Sequence, residues 1–145
     1  MTGPRTITVE GPDAHGRKLF IGIPYESSYT FSTFAIREGD SKGNAVTTGR
    51  LQLRRLTLNC SNTGFLHMHV TPKFRPTSTY TFTGRELGHG TNIIGAIPLY
   101  TGTINFPILS LNTQVEVKVG SDSFLPFALV NASWEGFYNT RNARV

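Results

Sequence analysis

Alternation of apolar and polar side chains with a period of two recurs along most of the chain, and it constrains the fold more than any other feature. Such alternation places one face of a strand in a core and the other in solvent. Ile7 and Val9 alternate with Thr6, Thr8 and Glu10, and Leu19, Ile21 and Ile23 repeat the pattern before Pro24 interrupts it. Leu66, Met68 and Val70 alternate with His67 and His69, Tyr80 and Phe82 with Thr79, Thr81 and Thr83, and Val115, Val117 and Val119 with Glu116 and Lys118. Asn62-Thr63-Gly64, Pro72 to Pro76, Gly84 to Gly90, Asn112-Thr113 and Gly120 to Ser123 lie between these runs and carry turn chemistry. Frequent Thr, Phe and Tyr, with 15 Gly and 8 Pro spread along the chain, leave little room for a long helix. The expectation is an all-β fold, an antiparallel β-sandwich of about eight to ten strands in two packed sheets.

One segment breaks the alternation. Leu51 and Leu53 share a face, but Leu56 and Leu58 would point to the other face if the strand ran without interruption. A β-bulge at Arg54-Arg55 would return all four leucines to the core, because an extra residue re-aims everything after it. Thr57 and Asn59 argue against the alternative, a helix joining Leu53 to Leu56.

A chain of 145 residues is near the commonest size for one domain, so residues 1–145 are read as a single domain able to bury a core without disulfides or metals. The single Cys60 has no internal partner and reads as a small buried thiol. No apolar run approaches the ~20 residues of a membrane helix, and Met1 to Arg5 lacks the apolar core of a signal peptide. The chain is therefore expected to be made in the cytoplasm of its host and to span no membrane.

Catalysis finds few candidates. His67 and His69 project from the same strand face and could hold a metal only if a third ligand came from elsewhere, so an ordinary outward face is expected. Gly88-His89-Gly90-Thr91 lacks the Lys-Ser/Thr ending of a phosphate loop. The nine acidic residues form no compelling acid/base pair, and Glu135 could neutralise Arg141 as easily as catalyse. No enzyme activity, cofactor or metal is expected.

Charge is more informative. The net charge is +5, and from Ser41 to Arg85 the chain carries Lys42, Arg50, Arg54, Arg55, Lys73, Arg75 and Arg85 with no Asp or Glu. A nucleic acid, an acidic partner surface, or a solvated face that keeps the protein soluble would each account for this run.

The C-terminal stretch Ser121-Asp122-Ser123-Phe124-Leu125-Pro126-Phe127, followed by Ala132-Ser133-Trp134-Glu135-Gly136-Phe137-Tyr138-Asn139-Thr140-Arg141, resembles the ending of tail nozzle proteins of short-tailed phages, also called tubular tail protein B. Gly22-Ile23-Pro24-Tyr25, Phe31-Ser32-Thr33, the segment from Gly49 to Leu58, Phe82-Thr83-Gly84-Arg85, Thr101-Gly102-Thr103 and Phe106-Pro107 fit in the same order. The resemblance implies a virion tail protein without catalytic residues. It also implies a hexameric ring below the portal and adaptor that contacts other tail proteins (adaptor, fibre or a remaining nozzle part) and lets the genomic DNA pass. Nozzle proteins are usually several times longer, with a propeller-like region ahead of this part. Either the nozzle is encoded in pieces or the chain is a related tail component.

The candidate interface residues are Arg50, Arg54, Arg55, Lys73, Arg75, Trp134, Phe137, Tyr138 and Arg141. Trp134 could anchor either the core or an interface, since large aromatics are common in both. Two rival readings stay open at this level: a nucleic-acid-binding β-module built on the basic segment 41–85, and a carbohydrate-binding sandwich for host recognition.

Overall fold

The computed structural model describes residues 20–37, 39, 43–46, 48–85, 87, 88, 90 and 92–140. They form seven strands: β1 (Ser27–Thr30), β2 (Gly49–Thr63), β3 (Leu66–Pro72), β4 (Ser78–Phe82), β5 (Tyr100–Leu111), β6 (Val115–Ser121) and β7 (Leu129–Thr140). A single 3-10 turn, Asn112–Gln114, links β5 to β6. All strand pairs are antiparallel, in a four-stranded sheet ordered β1-β6-β3-β4 and a three-stranded sheet ordered β5-β2-β7. The expected all-β sandwich is thus present, with seven strands among the described residues; the alternation at Ile7 and Val9, and Leu19, lie outside them.

The two sheets enclose one apolar cluster. Leu51, Leu53, Leu56, Leu58 and Cys60 from β2 and Phe106 and Ile108 from β5 meet Leu66, Met68 and Val70 from β3 and Val117 and Val119 from β6. The segment that follows β1 crosses to the other sheet and seals one open side with aromatic rings. Tyr29 meets Phe31 edge-on at 5.1 Å, Phe31 stacks on Phe34 at 5.8 Å, and Phe34 meets Trp134 of β7 at 6.1 Å. Asn112 donates from Nδ2 to the Phe34 carbonyl at 2.7 Å and ties this crossing to the 3-10 turn.

β2 contains the expected irregularity. Leu53 pairs with Gly136 and Arg55 with Glu135, so β2 takes two steps where β7 takes one. Against β5 the offset is carried by the partner: Leu53 pairs with Ser110 and Arg55 with Pro107, three steps on β5 for two on β2. Arg54 and Arg55 therefore both face solvent, while Leu51 is 5% exposed and Leu53, Leu56 and Leu58 are fully buried. The β5 side of the offset holds Leu109 in the left-handed region at φ 51°, 61% exposed.

Other segments depart from the sequence reading. Residues 20–26 form no strand, and Ile21 and Ile23 are 67% and 89% exposed. Pro24 has no N–H to give a ladder, and pairing starts only at Ser27, opposite Ser121. Conversely, β5 and β7 are long strands whose pattern is masked in sequence. β5 lies at a sheet edge, where Pro107 costs no ladder bond on its open side. On β7, Gly136 takes an inward position because a side chain there would strike the Gln52 carbonyl, 2.5 Å from where its Cβ would lie.

Candidate assembly surfaces

The basic segment splits into two groups once it is folded. Arg54 and Arg55 project from the outer face of the three-stranded sheet, and the register of β7 brings Glu135 beside them. Arg55 Nε donates to Glu135 Oε2 at 2.6 Å, Arg54 lies 4.0 Å from the same carboxylate, and the Arg54 guanidinium sits 5.8 Å above the Phe137 ring. Arg141, the cation that Glu135 could neutralise on the sequence alone, lies outside the described residues; the fold joins Glu135 to Arg55. Along the same outer face, neutral side chains bond across the strands. Thr57 donates to Asn105 at 2.7 Å, Asn59 donates to Asn131 at 2.7 Å, and Thr103 donates to Asn59 at 2.6 Å.

Arg50, Lys73 and Arg75 form the second group. They come from the start of β2 and from the β3–β4 connection, and together with Gln52, Gln114 and Ser110 they line a cleft of about 260 Å³ that no carboxylate among the described residues lines. Arg75 Nη2 donates to Ser110 Oγ at 3.1 Å, which holds its guanidinium across the cleft. Lys73 N–H donates to the Gln114 carbonyl at 2.7 Å and fixes the loop to the 3-10 turn. Between the two cations Phe74 is 98% exposed at φ 64°, a left-handed conformation uncommon for a non-glycine residue. In sequence, Lys73-Phe74-Arg75 with Tyr80 and Phe82 hints at a basic segment interleaved with aromatics, for which core packing is the better explanation; the fold packs Tyr80 and Phe82 against the core and leaves Phe74 in solvent.

The aromatic candidates divide in the same way. Trp134 and Tyr138 are half-buried and pack against the core cluster, Trp134 opposite Leu56 and Tyr138 opposite Leu51. Gly49 leaves space for the Tyr138 ring, which a Cβ at that position would strike. Phe137 faces outward and is 59% exposed.

The four-stranded sheet carries the histidine face. The His67 and His69 rings lie 4.7 Å apart, His69 Nδ1 bonds Thr79 Oγ1 at 3.0 Å, and His67 Nδ1 is 3.8 Å from Asp122 Oδ1. Burial, then the neighbouring His69, holds the His67 pKa below the ordinary histidine value, against the opposing pull of Asp122. Burial pushes the Cys60 thiol up. Among the described residues no group of three His, Cys, Asp or Glu is placed to hold a metal, and no helix is long and apolar enough to cross a membrane. His15 and His89 lie outside the described residues.

Comparison with known proteins places the chain in a family. Residues 1–145 match the bacteriophage nozzle protein family. Over 132 residues the chain is 33% identical to the tail tubular protein gp12 of Escherichia phage T7, an alignment that covers 90% of this chain and 16% of that protein. The chain therefore spans about a sixth of the length of that curated relative. It belongs to the bacteriophage nozzle protein family.

Proposed function

We propose that residues 1–145 form one structural domain of a short-tailed phage tail, assembled as a ring, hexameric by the family resemblance, around the path by which the genome leaves the particle. The family match over every residue of the chain is the observation that carries this reading. In this role the domain performs no reaction. It packs against copies of itself and against other tail proteins after synthesis in the host cytoplasm.

The charge arrangement supports a structural role over a nucleic-acid module. A tight nucleic-acid site needs cations free to neutralise successive phosphates. Arg54 and Arg55 instead share Glu135, and the ladder of Thr57, Asn59, Thr103, Asn105 and Asn131 beside them is uncharged. A surface of that kind suits a wall past which DNA must slide, since every phosphate held by a fixed charge slows exit.

Electron microscopy of intact particles tests this reading. The expected result is density for this fold in a ring on the tail axis; a particle whose tail lacks the chain overturns it. Titration of the isolated protein with duplex and single-stranded DNA at two salt concentrations supplies a second test. Micromolar or tighter binding at physiological salt, lost in the Arg54→Ala/Arg55→Ala double variant, would favour the nucleic-acid module instead.

A further inference from the structure

Among the described residues, β3 and β6 run between two ends of the sandwich that differ in charge. At the end where Pro72 pairs with Val115 stand Arg50, Lys73 and Arg75, with Phe74 fully exposed between two of them. At the other end, roughly 20 Å away along the seven residues of β3, Glu26 precedes β1 and Asp122 follows β6, and the strands meet there at Ser27 and Ser121. The Asp122 side chain is 70% exposed. Beside these carboxylates lies apolar surface: Ile23 is 89% exposed, Tyr25 43% and Phe124 41%. Tyr25 Oη donates to the Leu125 carbonyl at 3.0 Å, and a Cβ on Gly22 would meet the Phe124 ring, so this patch is held together as a unit. Each end also carries one charge of the opposite sign. Glu116 faces outward on the four-stranded sheet opposite Thr71, and Arg85 follows β4, two strands from β6 in that sheet.

We propose that the two ends dock on each other in successive copies of the chain: the Arg50–Lys73–Arg75 cleft and Phe74 of one copy receive Glu26, Asp122 and the Ile23–Phe124 patch of the next. This rests on the ring reading and adds to it the surfaces that meet. Contact between two unlike surfaces is heterologous and propagates from copy to copy, so it closes into a ring when the rotation permits. An exposed aromatic flanked by cations has the composition of an interface anchor, and opposed charges at its rim set register and reject the reversed docking. Nucleic acid is the poorer occupant of the cleft. A strand offers an extended row of phosphates, whereas these cations converge on a cavity of about 260 Å³.

Paired charge reversal tests the proposal. The purified chain is compared by sedimentation velocity with Lys73→Glu/Arg75→Glu and with Glu26→Lys/Asp122→Lys. Circular dichroism confirms that each is folded, and Arg50→Glu, which leaves the Arg75 to Ser110 bond in place, serves as the second cleft variant. Wild type is expected to self-associate, and each reversed variant to associate about tenfold more weakly or worse. An equimolar mixture of the two double variants is expected to recover association, because alternating copies then present opposite charges at every junction. Monomeric wild type, or reversed variants that associate normally, overturns the proposal. Loss in each variant without recovery in the mixture also overturns it, since head-to-tail contact requires that recovery. Cleft-dependent binding of duplex DNA by a chain that stays monomeric would assign the cleft to nucleic acid. Particles whose tail ring contains the chain joined through other surfaces would sink this docking and leave the ring reading standing.

Discussion

Arg54-Arg55 and Lys73-Arg75 come from the same acid-free stretch of sequence, and the fold treats them in opposite ways. The first pair lies in the middle of β2, flanked on one side by β7, which delivers Glu135 from eighty residues further along. The second pair lies beyond the end of β3, where no described strand runs alongside to supply a carboxylate, and it joins Arg50 in an open cleft. A run of like charge in sequence therefore measures the charge of a strand, and the charge of a surface depends on which strands become its neighbours.

The two sites also differ in how they are tied to the core, and this gives the largest expected effect. Deleting Arg54 removes the extra residue of the bulge, so Leu51 and Leu53 can no longer share a face with Leu56 and Leu58. Expelling two buried leucines at ~2–5 kcal/mol each approaches the whole stability of a small domain, about 5–15 kcal/mol. The deletion is expected to abolish cooperative unfolding in denaturant, whereas deleting Phe74 from the loop should leave a cooperative transition. A cooperative Arg54 deletion would show that the bulge can be absorbed elsewhere.

Leu56→Ala is the milder attack on the same site and should lower stability by ~2–5 kcal/mol, read as a fall in the urea midpoint at constant slope. Glu135→Gln comes next. It breaks an exposed ion pair worth about 0–1 kcal/mol, so the melting temperature should hardly move. Freed of that carboxylate, Arg54 and Arg55 should bind duplex DNA more tightly at low salt. Lys73→Ala with Arg75→Ala should likewise leave stability within ~0.5 kcal/mol. If the Glu135 variant shows no gain in DNA affinity, neutralisation by Glu135 is not what separates the two basic groups.

The smallest effect concerns the opposite sheet. His67 is protonated less readily in the folded protein than the ordinary value of 6.5, chiefly because it is partly buried. As pH falls below about 6.5 the unfolded chain takes up this proton first, so stability declines with falling pH toward the lower folded value. His67→Gln should flatten the decline in melting temperature between about pH 7.5 and 5.5. A decline as steep as that of wild type would assign the acid sensitivity to other groups.

Much of the fold was readable in the linear pattern. β3, β4 and β6 follow from clean alternation, and the slip at Arg54-Arg55 was visible because four leucines cannot share a face without an extra residue. β5 and β7 were not readable in the same way, because Gly102, Pro107 and Gly136 interrupt their patterns and are accommodated only by an edge position or a close backbone approach. The Ile21–Ile23 alternation misled for the converse reason: among the described residues no strand pairs with that segment, and both isoleucines are exposed.

Side-chain order along the chain by itself determined that this protein is a β-sandwich with a basic middle segment, because strand periodicity and charge are local properties. Tertiary structure alone decided that Arg54 and Arg55 share Glu135, that Arg50 joins Lys73 and Arg75, and that Trp134 and Tyr138 face the core while Phe137 faces out. Each of these depends on cross-strand register between residues far apart in sequence, and a shift of one residue would turn every side chain of the strand to the other face.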